Sequence, residues 1–229
     1  MQVADNLRAR LFAGEWDAGH RLPTEGDLAL EYGVSRATIR AALQQLEAQG
    51  LTKTKHGMGT YASPYFAAIK AGLQELRSMN ETIRDHGMEP GVEWHLREFR
   101  PATEAEAKAL DVAPGTSVLA TERAILADGK PIAFSYEAVP ARLLPKDLDP
   151  TTIPDSMFAL LDQVGAPPRT SVAEIHAATG PEIGWGDRDP GTVYVYLHQV
   201  HYDAEAKPVV VSRSYYHEGG FQFSVLRVR

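Results

Sequence analysis

Residues 52–63, TKTKHGMGTYAS, bring two lysines, a histidine and two glycines within eight positions. Cations beside glycines describe two different devices. A phosphate-cradling loop of a nucleotide enzyme needs a strand before the glycines, a helix after them and a Lys-Ser/Thr pair at its end. A hairpin tip needs glycines to turn sharply and to let the backbone approach a partner closely. Here Gly59 is followed by Thr60, Tyr61, Ala62 and Ser63, an extended run ended by Pro64. The pattern is therefore a hairpin: LTKT and TYAS are two short strands joined by KHGMG, with Lys55, His56, Gly57 and Gly59 at the tip. Three further groups can do chemistry. Arg36, Thr38 and Arg40 follow Ser35 at helical spacing, Ser78 stands three residues before Glu81, and Arg123, Glu137, Arg213 and Tyr216 lie in strand-like runs.

The elements that hold the first groups are short helices. Residues 2–13 place Val3, Leu7, Leu11 and Phe12 at helical spacing. GEWDAGHRLP is a Gly/Pro-rich connection, and a second helix opens at Thr24, with Asp27 three residues on, and stops at Gly33. Only Val34 separates that stop from Ser35, the N-cap of a third helix that stops at Gly50. Its apolar stripe is Ile39, Leu43 and Leu46, so Arg36, Arg40 and Gln44 face outward beside the small Ala37 and Ala41. Arginines on an outer face are commonly solvated. Two helices around a glycine turn, followed by a cationic hairpin, instead describe a helix-turn-helix with a wing.

The run LPTEGDLALEYGVSRATIRAALQQLEAQGLTKTKHGMGTY resembles the winged-helix head of GntR-type bacterial transcription regulators. The resemblance covers nearly all of residues 2–62, with LP-T-E, G-V-S-R, T-x-R, L-x-x-x-G-L and H-G-x-G-T in order. It implies that Arg36, Thr38 and Arg40 contact major-groove bases and phosphates, that Ser35 caps the helix and binds phosphate, and that His56 and Gly57 enter the minor groove. One departure stands out: Gly26 occupies a position where the family usually has an arginine that reaches the DNA backbone.

Beyond residue 63 the signals differ. SPYFAAIKAG (63–72) reads as a linker and the start of a connecting helix. Ser78 and Glu81 form a capping box for a helix running to about His86 and stopped by Gly87. A capping box is local stability, and a helix N-terminus facing a cavity is also an anion site. Residues 122–140 and 198–216 then repeat one plan, each a strand, a turn after Asp128 or Asp203, Lys-Pro, an apolar triplet and a serine. Matched pairs are Lys130 with Lys207, Pro131 with Pro208 and Ser135 with Ser212. Each reads as a β-hairpin, which implies an antiparallel sheet built from two similar halves. Period-two counting puts Arg123 with Thr121 and Ile125, and Arg213 with Val211 and Tyr215. Arginines alternating with Val and Ile either pair with carboxylates such as Glu137 or bind something.

This part resembles the UTRA effector-binding module of the HutC-type GntR subfamily, over roughly residues 70–229. The resemblance rests on R-x5-G-x-P, KPVVVSRSYY and the terminal F-x-F. It implies a small-molecule sensor that also pairs two subunits, on an architecture like that of chorismate lyase. By that analogy Ser78, Met79 and Asn80 offer backbone N–H groups to an acidic group, Arg123 and Arg213 add charge, and Glu137 and Tyr216 hydrogen-bond. Ile125, Ser135 and Val210 stand where sugar-phosphate sensors have an arginine and two acids, and HEGGF (217–221) replaces the usual R-G-D-R-Y. An effector with one acidic group and an apolar body fits better than a phosphosugar.

Composition narrows the remaining classes. The 229 residues carry 44% hydrophobic and 23% charged side chains, no cysteine and a net charge of −7. Residues 1–63 hold seven basic and seven acidic residues, so the whole −7 lies beyond them. Bulk charge therefore does not oppose DNA binding by the first part. Absent cysteines exclude disulfides and thiolate metal sites, and the first residues have no apolar h-region, so the cytoplasm is the expected compartment, with no membrane partner. No cofactor or metal is expected, and His198 and His201, three apart in a strand, face opposite sides. The expected organisation is a winged helix-turn-helix over residues 1–63, α with a small β-wing, a linker at 64–72, and an α+β domain over 73–229 with an antiparallel sheet flanked by helices. The expected protein is a homodimeric, ligand-responsive repressor of a pseudo-palindromic operator, with double-stranded DNA and a small anionic effector as partners. Alternatives are a DNA-binding dimer whose second domain only dimerises, and an enzyme on the chorismate-lyase-like domain.

Overall fold

Helix boundaries in the first unit follow from local capping chemistry. The computed structural model describes residues 2–63, 76–186 and 191–217, in two compact units, one within the first 75 residues and one from Leu76 onward. The proposed linker at 64–72 and the segment after His217 lie outside the described residues. In the first unit α1 spans Gln2–Phe12, α2 Glu25–Tyr32 and α3 Arg36–Ala48. Thr24 caps α2 reciprocally: its Oγ1 accepts from the Asp27 N–H at 3.2 Å and its own N–H donates to the Asp27 carboxylate at 3.2 Å. Gly33 closes the helix in the left-handed region at φ +63°. Ser35 Oγ then accepts from the Thr38 N–H at 3.1 Å and opens α3. Leu7, Leu11, Leu28, Ile39 and Leu46 are all fully buried in the shared core, so the helical stripes read from the sequence do face one another.

The wing is a two-stranded hairpin, β1 (Thr52–Lys55) against β2 (Gly59–Ala62), with Thr54 opposite Thr60. It is tied to the connection before α2 by the Leu22 N–H donating to the Thr60 carbonyl at 2.8 Å. The wing is thus part of the head's fold and not a free loop.

The second unit is one six-stranded antiparallel sheet. Its strands are β3 (Pro90–Pro101), β4 (Ser117–Ala127), β5 (Lys130–Pro140), β6 (Thr170–Thr179), β7 (Val193–Tyr202) and β8 (Pro208–His217), in the order β3-β4-β5-β8-β7-β6. The sheet is two meanders, β3-β4-β5 and β6-β7-β8, joined along β5 and β8. The repeat seen in the sequence is the reason. Tyr136 and Arg213 hold equivalent places in the two repeats, and they lie directly opposite each other across β5 and β8. A pseudo-two-fold therefore passes through that pair. The first hairpin turns on Asp128 at φ +47° and Gly129 at φ +75°, the paired positive angles of a two-residue turn matched to strand twist. The second is longer, and Asp203 Oδ1 organises it by accepting from the Glu205 and Lys207 N–H groups at 2.8 and 2.9 Å.

Among the described residues three α-helices dress this sheet: α4 (Met79–Asp85), α5 (Glu104–Ala109) and α6 (Met157–Gln163). On one face, α6 buries Met157, Leu160 and Leu161 against Leu119, Val139 and Val210. On the other, Ala107 of α5 packs with Val118, Ala138 and Val211, while Ile183, Tyr194 and Tyr215 close around Phe134. His198 and His201 face opposite sides, as period-two counting requires. His201 is 4% exposed, its Nε2 3.2 Å from Ser212 Oγ and its ring edge-on to Phe158 of α6.

Burial lowers the His201 pKa from 6.5 to about 4, because the imidazolium would lose its hydration there. The folded chain refuses a proton that the unfolded chain accepts below pH 6.5, so stability falls as pH drops from 6.5 toward 4. The expected loss by pH 4.5 is about 2–3 kcal/mol from this group. Urea unfolding of wild type and His201→Gln at pH 7 and pH 4.5 checks it; the variant's loss over that interval should be smaller by that amount.

Candidate functional site

On the head, Ser35, Arg36, Thr38 and Arg40 are all exposed on the side of α3 opposite Ile39 and Leu43. Two of them are already engaged with α2. Arg40 makes a bidentate pair with Glu25, Nε to Oε1 at 2.9 Å and Nη2 to Oε2 at 2.6 Å, which holds the Glu25 carboxyl below its ordinary range. The Arg36 guanidinium lies over the first turn of α2, where a Cβ built on Gly26 would come within 3.2 Å of its Nη2. Gly26 thus leaves room for Arg36 at a place where a longer side chain would begin. Arg36 also adds its positive charge beside the Glu25 and Asp27 carboxylates.

The wing tip is exposed from Lys53 to Met58, with the Lys55 Nζ 4.6 Å above the Tyr61 ring. Gly57 sits at φ +72° with open space around it, so its freedom serves the turn alone. Gly59, at φ +105°, serves close approach as well, but to a neighbour in the head. A Cβ there would stand 2.8 Å from Arg21 Nε. The cations Arg21, Lys53 and Lys55, together with His56, therefore lie on and beside the hairpin.

In the second unit the sheet divides the proposed effector residues. Arg123, Glu137 and Tyr216 point to the α6 face, because Thr121 pairs with Glu137, Arg123 with Ser135 and Ser135 with Ser214 across β4, β5 and β8. Arg213, opposite Tyr136, points to the other face. The four do not form one cluster. Alternation within each strand was readable, but the β5–β8 register that relates the strands was not.

On the α6 face, Arg123 is 5% exposed and its charge is balanced within the fold. Nη2 donates to Glu137 Oε1 at 2.6 Å, Nη1 donates to the Asp155 carbonyl, and Thr121 Oγ1 donates to Glu137 Oε2 at 2.9 Å. The guanidinium lies 5.2 Å from the Trp94 ring, and its Nε has no partner among the described residues. Ser135, Ser212, Ser214 and Tyr216 are buried beside it, and burial pushes the Tyr216 hydroxyl up to about 12. Trp94 and Asp155 were invisible from the sequence, since they reach Arg123 only through the pairing of β3 with β4 and the loop before α6. Ser78 keeps its hydrogen bonds within α4. The Glu81 carboxylate accepts from its N–H and Oγ, each at 3.0 Å, so an acid already stands at that N-terminus. Met79 and Asn80 form the first turn behind it.

On the opposite face a cleft of about 190 Å³ is lined by Arg100, Glu106, Glu122, Tyr136, His198 and Arg213, among others. Arg213 is exposed and stacks on Tyr136 at 4.7 Å, while Arg100 and Glu106 form a bidentate pair at 2.7 and 2.8 Å. Arg100 and the Thr103 N–H draw the Glu106 pKa down to about 2 against the opposing effect of burial. The chemistry of both faces is ionic and hydrogen-bonding; Ser212 Oγ does stand 3.2 Å from His201 Nε2, but both side chains are buried. Among the described residues no cluster of three His, Asp or Glu could hold a metal, and no helix is long and apolar enough to cross a membrane.

Comparison with known proteins agrees in both parts. Residues 1–62 match the family model of bacterial regulatory proteins, gntR family, and residues 85–222 match the UTRA domain model. The mannosyl-D-glycerate transport/metabolism system repressor MngR of Escherichia coli K12 is 31% identical over 163 residues, 71% of this chain and 67% of that one. The crystal structure of PhnF from Mycobacterium smegmatis aligns with a TM-score of 0.61 at 24% identity, over 99% of this chain and 100% of that one. YydK from Bacillus subtilis aligns with a TM-score of 0.77 at 16% identity, over 99% and 98%.

The Arg123–Glu137 pair generates a stability prediction. Removing the carboxylate leaves a buried guanidinium without its counter-charge, at about 3–5 kcal/mol. Glu137→Ala should lose that much in chemical denaturation, whereas Arg123→Met combined with Glu137→Leu should lose less than Glu137→Ala alone.

Proposed function

The chain belongs to the gntR family of bacterial regulatory proteins bearing a UTRA domain, which are transcriptional regulators rather than enzymes, and we propose that it is a ligand-responsive repressor that binds a pseudo-palindromic operator as a homodimer. The observation that carries the reading is the outward face of α3. Ser35, Arg36, Thr38 and Arg40 are exposed together beside a cationic wing. In a winged helix-turn-helix this face enters the major groove, and the tip at Lys55, His56 and Gly57 meets the adjacent backbone and minor groove. Two-fold symmetry of the dimer is then mirrored in the half-sites.

The Arg40–Glu25 pair refines that docking. With Nε and Nη2 held by Glu25, Arg40 reaches DNA through its remaining N–H groups, in an orientation set by α2. Arg36 is free of a bidentate partner, and it is the better placed of the two to read a guanine edge. Gly26 supplies no phosphate contact, which lowers the count of neutralised phosphates and flattens the salt dependence of binding.

We place the effector on the α6 face, at Arg123 and Glu137. Ile125, Ser135 and Val210 are buried on that same face, so the buried charge there is one guanidinium and one carboxylate, with Arg97 and the Asp155 carboxylate at its margin beside Trp94. A ligand with one acidic group and an apolar body suits it. MngR represses a system for mannosyl-D-glycerate, whose glycerate bears a single carboxylate. Effector control follows as a population shift, in which the ligand prefers a conformation whose two heads no longer match the half-site spacing.

Arg36→Ala should weaken operator binding by about 1–3 kcal/mol, roughly 5- to 150-fold, and lower the salt slope where a phosphate contact is lost. Fluorescence anisotropy with the promoter DNA beside the gene checks this, and unchanged affinity would count against the docking. Isothermal titration against singly acidic sugars and against phosphosugars checks the effector; tight binding of glucosamine-6-phosphate would overturn the single-charge reading.

A further inference from the structure

Strand pairing lays one row of side chains across the sheet on the face that carries α5. Glu122 on β4 stands opposite Tyr136 on β5, Tyr136 opposite Arg213 on β8, and Arg213 opposite His198 on β7. Alternation turns this row away from Arg123 and Glu137 and toward the cleft of about 190 Å³. The neighbouring row, Ala120, Ala138 and Val211, is apolar and buried, and it forms the cleft floor. The far wall is α5 with the end of β3, where Arg100 and Glu106 satisfy each other in their bidentate pair. That wall brings no uncompensated charge.

The wall made by the sheet does. Arg213 is exposed, and stacking on Tyr136 at 4.7 Å fixes its guanidinium. Among the described residues no carboxylate pairs with it. Glu122 has His95 Nε2 at 3.8 Å, longer than a hydrogen bond, and that ring is a cation only when protonated. His198, beyond Arg213 in the row, has Glu174 Oε2 at 3.9 Å from its Nδ1. One acid and one cation therefore end a wall that has an aromatic ring between them and an apolar floor below. They stand two strand spacings apart, about 10 Å between Cα atoms, which is too far for them to pair. A ligand that answers both must carry one cation and one anion.

Distance selects among such zwitterions. In an α-amino acid the ammonium nitrogen and a carboxylate oxygen are about 3 Å apart. Adding a charge-assisted hydrogen bond of about 2.8 Å at each end gives roughly 9 Å, the separation of the two strands. A γ-amino acid, longer by two methylenes, overshoots it. The floor then decides the side chain. Ala120, Ala138 and Val211 accept an aliphatic group, whereas a charged one would be desolvated there, with Arg100 and Glu106 already engaged. The volume lies below the roughly 300–1,000 Å³ of sites for drug-sized ligands, and it suits a single amino acid rather than a peptide.

We propose that the α5 face holds a second ligand site, which binds a free α-amino acid with an aliphatic side chain. Its ammonium lies on Glu122 and its carboxylate on Arg213, with the side chain on the alanine floor. The site is independent of the effector placed on the α6 face and of the operator reading.

L-Leucine is the probe, titrated calorimetrically into the full-length protein beside leucinamide, which lacks the carboxylate, and 4-methylpentanoate, which lacks the amine. The unmodified protein should bind leucine at least tenfold more tightly than either analogue. Glu122→Gln and Arg213→Gln should each weaken leucine at least tenfold while leaving the thermal midpoint near that of the unmodified protein. Each variant should also lose one discrimination that a merely structural role would not touch. Arg213→Gln should no longer prefer leucine to leucinamide, and Glu122→Gln should no longer prefer it to 4-methylpentanoate. Leucine binding that both variants leave unchanged overturns the α5-face site, and so does equal affinity of the unmodified protein for leucine and leucinamide. Absence of leucine binding at millimolar concentration overturns the proposal outright. Operator affinity of the unmodified protein, measured separately, keeps any of these failures distinct from a failure of the DNA-binding reading.

Discussion

The pairing of β5 with β8 is the contact on which the second unit depends. Each repeat supplies a hairpin, and a hairpin alone is marginal in water. Joining them along β5 and β8 makes one sheet wide enough to bury a core on both faces. The same pairing assigns chemistry to faces. Because Tyr136 stands opposite Arg213 and Glu137 opposite Ser212, a one-residue slip would exchange the faces of β8 relative to β5. Arg213 would then join Arg123 in the buried site, beside a single carboxylate. The buried Ser135–Ser214 contact at 3.4 Å and the packing of Tyr215 among Phe134 and Tyr194 oppose that slip.

The head obeys a more local constraint. Gly33 and Ser35 set the angle between α2 and α3 within three residues, one by its left-handed φ and the other by its cap. That geometry brings the first turn of α2, with Glu25 and Asp27, against the outer face of α3. The turn that aims the arginines therefore also supplies the carboxylate that orients Arg40.

Legibility in the sequence followed the range of the interaction. The capping boxes at Thr24 and Ser78, the cap at Ser35 and the stops at Gly33 and Gly87 each depend on residues within a few positions, and the structure has them where the residues indicated. The hairpins at Asp128 and Asp203 were readable for the same reason. β3 went unread, because PGVEWHLREFRP mixes charges with Trp94, Leu96 and Phe99 and shows no clean alternation. Its bulge at His95 shifts the period midway. α5 also went unread, though Thr103 and Glu106 form a capping box, since at six residues it is shorter than any periodicity. The site suffered most. Arg123 meets Glu137 across 14 residues, but Asp155 at 32 and the β5–β8 register at 79 are properties of the sheet.

The buried ion pair constrains how any anion can signal here. Arg123 is neither a vacant cation nor a spectator. Its two terminal nitrogens each make one hydrogen bond, to Glu137 and to the Asp155 carbonyl, and Nε has no partner among the described residues. An acidic ligand that reaches it must share the guanidinium with Glu137 or displace that carboxylate. Two carboxylates on one buried guanidinium repel, so the response is an exchange of partners rather than the filling of an empty charge. Exchange moves structure. Glu137 lies on β5, at the pseudo-two-fold, and Asp155 lies in the loop that leads into α6. Whichever contact yields, the displacement starts either at the centre of the sheet or at the helix that covers it. A solvated arginine would bind an anion with no such consequence, so it is the existing pairing of Arg123 with Glu137 that would couple an anion bound here to the sheet.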